Sequence, residues 1–129
     1  MRTVYLSGAQ IDGIESFYAE INRVFMSDED WNLSASLDAL NDLLYGEYGA
    51  TQFDEPVEVI MTDHAHAREA LGIEVTAGWL RDKIAQPNMF DVQSLEKALD
   101  DLHLGKGKTY WDHVLDVFSD HPRITLTLR

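Results

Sequence analysis

The chain has 129 residues, with 23 Asp and Glu against 10 Lys and Arg, a formal charge of −13 and no cysteine. That length suits one domain, 1–129, able to bury a core without staples, and the lack of cysteine removes disulfides, thiolate zinc sites and cysteine nucleophiles together. The charge argues against phosphate backbones and anionic lipid as partners and for a basic protein.

No apolar run approaches the roughly 18 residues of a membrane span. Met1-Arg2-Thr3-Val4 is not followed by an apolar signal core, so a cytoplasmic location is expected. In chain order, residues 3–6 read as a short strand ended by Ser7-Gly8. A helix follows Asp12-Gly13, because Ile14, Phe17, Ile21, Val24 and Phe25 recur at helical spacing. Residues 26–36 are polar and acidic, with Trp31 and Leu33 embedded, and read as a loop. Residues 37–45 form a second predicted helix with Leu37, Leu40 and Leu44 as its core stripe, Ser36 as N-cap and Gly46 as its stop. Pro56 introduces a strand over 57–61. Helices are predicted over 77–85, with Trp79, Leu80 and Ile84, and over 92–103, with Leu95, Leu99 and Leu102, the latter capped by Asp91. Thr109-Tyr110-Trp111-Asp112 has the form of a capping box and opens a last helix that Pro122 halts. Residues 124–128 alternate as a final strand. Strands alternating with helices predict an α/β domain with a small parallel sheet and helical crossovers.

The charge is unevenly spread. No Lys or Arg lies between Arg23 and Arg68, an interval that holds Asp28, Glu29, Asp30, Asp38, Asp42, Glu47, Asp54, Glu55, Glu58 and Asp63. A solvated surface that keeps the protein soluble and an acidic docking face for a cationic protein both fit this pattern. On the 37–45 helix, Asp38 and Asp42 share the solvent side opposite the leucines. Two carboxylates at i and i+4 repel by about 0.2–0.5 kcal/mol, and Asp42 lies toward the unfavourable end of the helix dipole. Local helix energetics therefore do not account for Asp42. A rigid carboxylate pair suits a partner's Arg or Lys; a general acid and base pair would need a cleft and separated pKa values.

The run Leu37-Asp38-Ala39-Leu40-Asn41-Asp42-Leu43-Leu44 closely resembles the second-helix motif of the barstar family, intracellular inhibitors of secreted guanyl-type bacterial ribonucleases. Three further features agree in order: the opening strand with Gln10-Ile11 and the Ile14 helix, the last helix through Val114-Leu115-Asp116-Val117-Phe118-Ser119-Asp120, and the closing Ile124-Thr125-Leu126-Thr127-Leu128. The resemblance covers residues 1–62 and 109–129. It implies a three-stranded parallel sheet packed with helices, a helical insertion over 63–108, and an acidic face that plugs the active site of a basic ribonuclease. By the same resemblance, Asp42 stands where substrate phosphate would sit, Asp38 contacts the basic rim, and Asp120 also faces the enzyme. Trp31 matches an aromatic on the binding loop, and Ser36, Asn41, Tyr45 and Gly46 fall at further contact positions. The sequence differs from the family in Ser34-Ala35-Ser36 for the usual Gly-x-Asn, in Asn41 for a large aromatic, and in the short His121-Pro122-Arg123 connection.

Asp63-His64-Ala65-His66 carries donors that suit zinc or another divalent ion. Extended, His64 and His66 would point to one side; helical, they diverge by about 200° and form no site. Lys106 and Lys108 in a Gly-rich turn lack the Walker pattern, Trp79 and Trp111 are expected in the core, and no nucleophile elbow or triad spacing occurs. The expectation is a non-enzymatic inhibitor of a basic ribonuclease, with no cofactor, metal, nucleic acid or membrane partner. Two alternatives are a barstar-fold module using 63–108 for a different partner, and a metal-dependent hydrolase built on Asp63, His64 and His66.

Overall fold

A computed structural model describes residues 2–51, 55–86 and 88–129; Asp54, one of the acids of the basic-free interval, lies outside them. Three strands, β1 (Arg2–Ser7), β2 (Val57–Thr62) and β3 (Ile124–Leu128), form a parallel sheet in the order β1-β2-β3. Among the described residues six α-helices complete an α/β fold: α1 (Ile14–Phe25), α2 (Leu37–Tyr45), α3 (His64–Ala70), α4 (Ile73–Ile84), α5 (Val92–His103) and α6 (Tyr110–Ser119).

The register explains which side chains are buried. Val4 lies beside Val59 and Leu6 beside Met61, while Val57 and Val59 meet Ile124 and Leu126. Side chains alternate along a strand, so these residues share one face, and all of them join the main core with Phe17, Ile21, Phe25, Leu40, Leu44, Val114 and Phe118 of the helices. The opposite face carries Thr3, Thr125 and Tyr5, the last of them 57% exposed. Ile60 is buried there between Tyr5 and Thr127.

Buried polar groups lock the helices to this sheet. Glu20 of α1 is buried, accepts the N–H of Ser7 at 2.6 Å and pairs with Arg23 at 2.7 Å. Burial would raise its pKa, but the Arg23 hydrogen bond, the Ser7 N–H and the Arg23 charge together hold it below the ordinary value. The hydroxyls of Tyr18 and Tyr110 are 2.6 Å apart, joining α1 to α6. Gly8 follows β1 where a Cβ would run into the backbone carbonyls of Thr62 and Asp63, so the ends of β1 and β2 approach this closely only at glycine.

The helix over 77–85 begins earlier than expected, at Ile73, behind Gly72. Residues 64–70 take the helical alternative as α3. Helices α4 and α5 pack on each other around a second, smaller cluster of Ala77, Leu80 and Leu102, with Leu95, Ala98 and Leu99 beside it. Trp79 touches both clusters. The join to the main body is polar as well: the Tyr110 N–H donates to Thr76 Oγ1 at 2.7 Å, and the Trp111 N–H to the Leu71 carbonyl at 3.1 Å. No helix among the described residues is long and apolar enough to cross a membrane.

Candidate functional site

Helix α2 is fixed at both ends by its own sequence. The Ser36 hydroxyl accepts the Ala39 N–H at 3.1 Å, and Gly46 takes the left-handed conformation at φ 93° that ends the helix. A Cβ at Gly46 would meet the Arg123 guanidinium and lie 2.6 Å from the Thr51 carbonyl, so glycine is required there on two counts. Leu40, Leu43 and Leu44 are buried, which turns Asp38 and Asp42 to solvent. Among the described residues neither carboxylate joins a hydrogen bond or ion pair.

The loop before α2 is anchored rather than free. The side-chain amide of Asn22 on α1 clamps the backbone of Leu33, accepting its N–H at 2.7 Å and donating to its carbonyl at 3.4 Å. Glu29 accepts the Gly49 N–H at 3.1 Å. Trp31 meets Tyr48 edge to face, with ring centroids 4.8 Å apart, yet remains 44% exposed. Burial raises the Tyr48 pKa, and the charges of Asp42 and then Glu47 raise it further.

On the other flank, Asn41 and Tyr45 converge on His121. The imidazole Nε2 lies 2.8 Å from Asn41 Oδ1, and the ring packs edge to face on Tyr45 at 4.7 Å. Asn41 is thus half-buried and tied to the corner between α6 and β3. Tyr45 remains 67% exposed. Asp120 is exposed as the C-cap residue just beyond α6, directly before His121. Asp38, Asp42 and Tyr45 are thus exposed on α2 itself, Asp120 directly precedes the His121 that packs on Tyr45, and Trp31 lies in the loop before α2 against Tyr48. Ser36 and Gly46 serve as the helix's caps.

Sequence reasoning missed Tyr48, His121 and Asn22. Each acts through a contact to another segment of the chain, and none belongs to a periodic pattern or motif. No protein-family model matches the chain, and no curated protein matches it.

The histidines of the 63–66 segment are separated by the helix they sit on. His64 Nδ1 lies 2.9 Å from the Arg129 carbonyl and His66 Nε2 lies 2.9 Å from Asp12. Among the described residues no group of three or more His, Asp and Glu side chains is placed to hold a metal ion.

Proposed function

We propose that the protein is a stoichiometric, non-enzymatic inhibitor of a basic ribonuclease, acting in the cytoplasm in the manner of an immunity protein, and that it blocks the enzyme's active site with α2 and the loop before it. The observation that carries this reading is the pair of solvent-facing carboxylates, Asp38 and Asp42, on a helix capped at both ends and bordered by the exposed rings of Trp31 and Tyr45. Fixed anions beside rigid aromatics suit a cationic site: the rings supply the apolar contact that dominates interface energy, and the carboxylates supply charge-assisted hydrogen bonds to Arg, Lys and protonated His. The order of motifs resembling those of the barstar family supports the same assignment, with Asp42 where a substrate phosphate would lie, Asp38 against the basic rim and Asp120 also facing the enzyme.

Titration of the purified protein into a barnase-class ribonuclease, followed by RNA cleavage, tests the reading. Inhibition should saturate at one equivalent. Asp42→Ala should weaken it by about 2–5 kcal/mol, the cost of truncating one member of a desolvated charge pair. Inhibition unchanged by that substitution removes Asp42 from the mechanism.

A second reading draws on the separate cluster formed by α4 and α5 and the exposed Met89 and Leu104 near their ends. In it the 63–108 segment binds a different partner. Deleting the segment separates the two: loss of partner binding with the Asp42 face intact favours the second.

A further inference from the structure

Beside the first turn of α2, a cleft of about 390 Å³ opens toward the 63–108 segment, with Leu37 and Asp38 on one side and Trp79, Lys83 and Phe90 on the other. Lys83 lies in this cleft with its Nζ 4.0 Å from the centroid of the Trp79 ring and 5.2 Å from that of Phe90. Trp79 is itself held edge to face by Tyr110 at 5.0 Å and His113 at 5.8 Å, which fixes the plane it offers. Burial lowers the pKa of the Lys83 ammonium and the charge of Asp38 acts against that shift, so the cation sits partly desolvated within reach of the carboxylate's field. The two make no ion pair within 4 Å. Aromatic faces with a nearby carboxylate form a recognition set for an ammonium or guanidinium group. Here the chain fills that set with a cation of its own.

We propose that this cleft is a cation pocket continuous with the α2 face, that it takes an arginine or lysine side chain of the basic partner against Trp79, Phe90 and Asp38, and that Lys83 is the resident cation which leaves as the partner's side chain enters. The identity of the partner rests on the inhibitor reading, whereas the pocket's preference for a cation does not. Charge complementarity selects the occupant: the partner is basic, Asp38 borders the cleft, and the aromatic wall already holds an ammonium at contact distance. Displacement is inexpensive because the lysine stem is flexible and its ammonium regains water on leaving. Guanidinium is the better fit, being planar, weakly hydrated and suited to stacking. The opposed arrangement, in which Lys83 stays and pairs with a carboxylate of the partner, gives the opposite sign in the same experiment.

One arm needs no partner. N-acetyl-arginine amide is titrated into the wild type, Lys83→Met and Lys97→Met, and the Trp79 indole N–H is followed by NMR. Lys97 pairs with Asp101 on the exposed side of α5 and controls for the change in net charge. Lys83→Met should bind the probe about two- to fivefold more tightly than the wild type, the scale of one cation–π contact. Lys97→Met should match the wild type, and adding Asp38→Asn to Lys83→Met should abolish the gain. No saturable shift at Trp79 in Lys83→Met, or a gain that survives Asp38→Asn, overturns the pocket. In the second arm, dissociation from a barnase-class ribonuclease is measured, since dissociation is insensitive to long-range steering. Lys83→Met should slow it by a similar factor. Faster dissociation overturns the proposal and assigns Lys83 to a partner carboxylate. A wild type that does not bind the ribonuclease defeats the inhibitor reading, and the first arm still decides the pocket.

Discussion

Asn22 is a residue whose effect is exerted at a distance from itself. Its amide satisfies both backbone groups of buried Leu33, as a neighbouring strand would, and so places the loop that carries Trp31. Asn22→Ala strands a buried N–H, a loss of about 1–3 kcal/mol. The expected outcome is a less stable protein whose Trp31 indole resonance moves toward solvent values while those of Trp79 and Trp111 stay in place. His121 acts locally and through pH. Burial holds its imidazole below the ordinary 6.5, Asp120 opposes the shift and Arg123 adds to it; His113 is lowered too, chiefly by burial. A base whose folded pKa is depressed takes its proton first in the unfolded chain. These histidines therefore add stability fully above about pH 6.5 and lose it as pH falls through their folded values. Urea unfolding at pH 7.5 and pH 5 should show that loss, and His121→Gln should reduce it without removing the part due to His113.

The helices differ in how firmly the rest of the molecule holds them. Helix α2 packs Leu40, Leu43 and Leu44 into the main core, whereas α5 rests on α4 through a cluster whose buried members are Ala77, Leu80 and Leu102. Leu102→Ala removes a large share of that cluster, and losses for such truncations run about 2–5 kcal/mol. Because so few contacts back it, the damage should stay local: hydrogen exchange should quicken across α4 and α5 while the amides of β2 keep their protection. Elements were legible in the sequence where a local device marks them. Ser36 and Gly46 bracket α2, Asp91 caps α5 through the Ser94 N–H, and Thr109 with Asp112 forms the capping box of α6. The start of α4 was not legible, since Gly72 offers no capping side chain and the first turn shows no clear apolar period. Helix α3 was ambiguous for a similar reason, being seven residues of mostly small or polar character.

Over the whole molecule, the acidic composition is what points to a basic partner in the proposed function, and the leucine stripe of α2 fixes which of its faces is left to solvent. Tyr48, His121, Lys83 and Phe90, supplied by other segments, became visible only with the fold: His121 reaches Asn41 across 80 residues, Tyr48 meets Trp31 in the preceding loop, and Lys83 and Phe90 line a cleft whose other wall is Leu37 and Asp38. The charge of −13 is divided in the same way between a local and a global role. In the proposed complex the α2 carboxylates would act within contact distance, where added salt weakens a desolvated pair little. The remaining acids act through solvent, where the field decays over about 10 Å at 0.1 M salt and about 3 Å at 1 M. Association with a basic ribonuclease should thus slow steeply as ionic strength rises while dissociation changes little. Neutralising acids one at a time should sort them by distance from α2. Asp28→Asn and Asp30→Asn, in the loop that carries Trp31, should lower the association rate at 0.05 M salt and lose that effect at 1 M. Asp100→Asn, on α5, should leave the rate nearly unchanged, and Asp42→Asn should alter dissociation at every salt concentration. Stopped-flow association and dissociation measured across that range provide the check. Equal effects from Asp28, Asp42 and Asp100 would mean that the charge serves solubility alone.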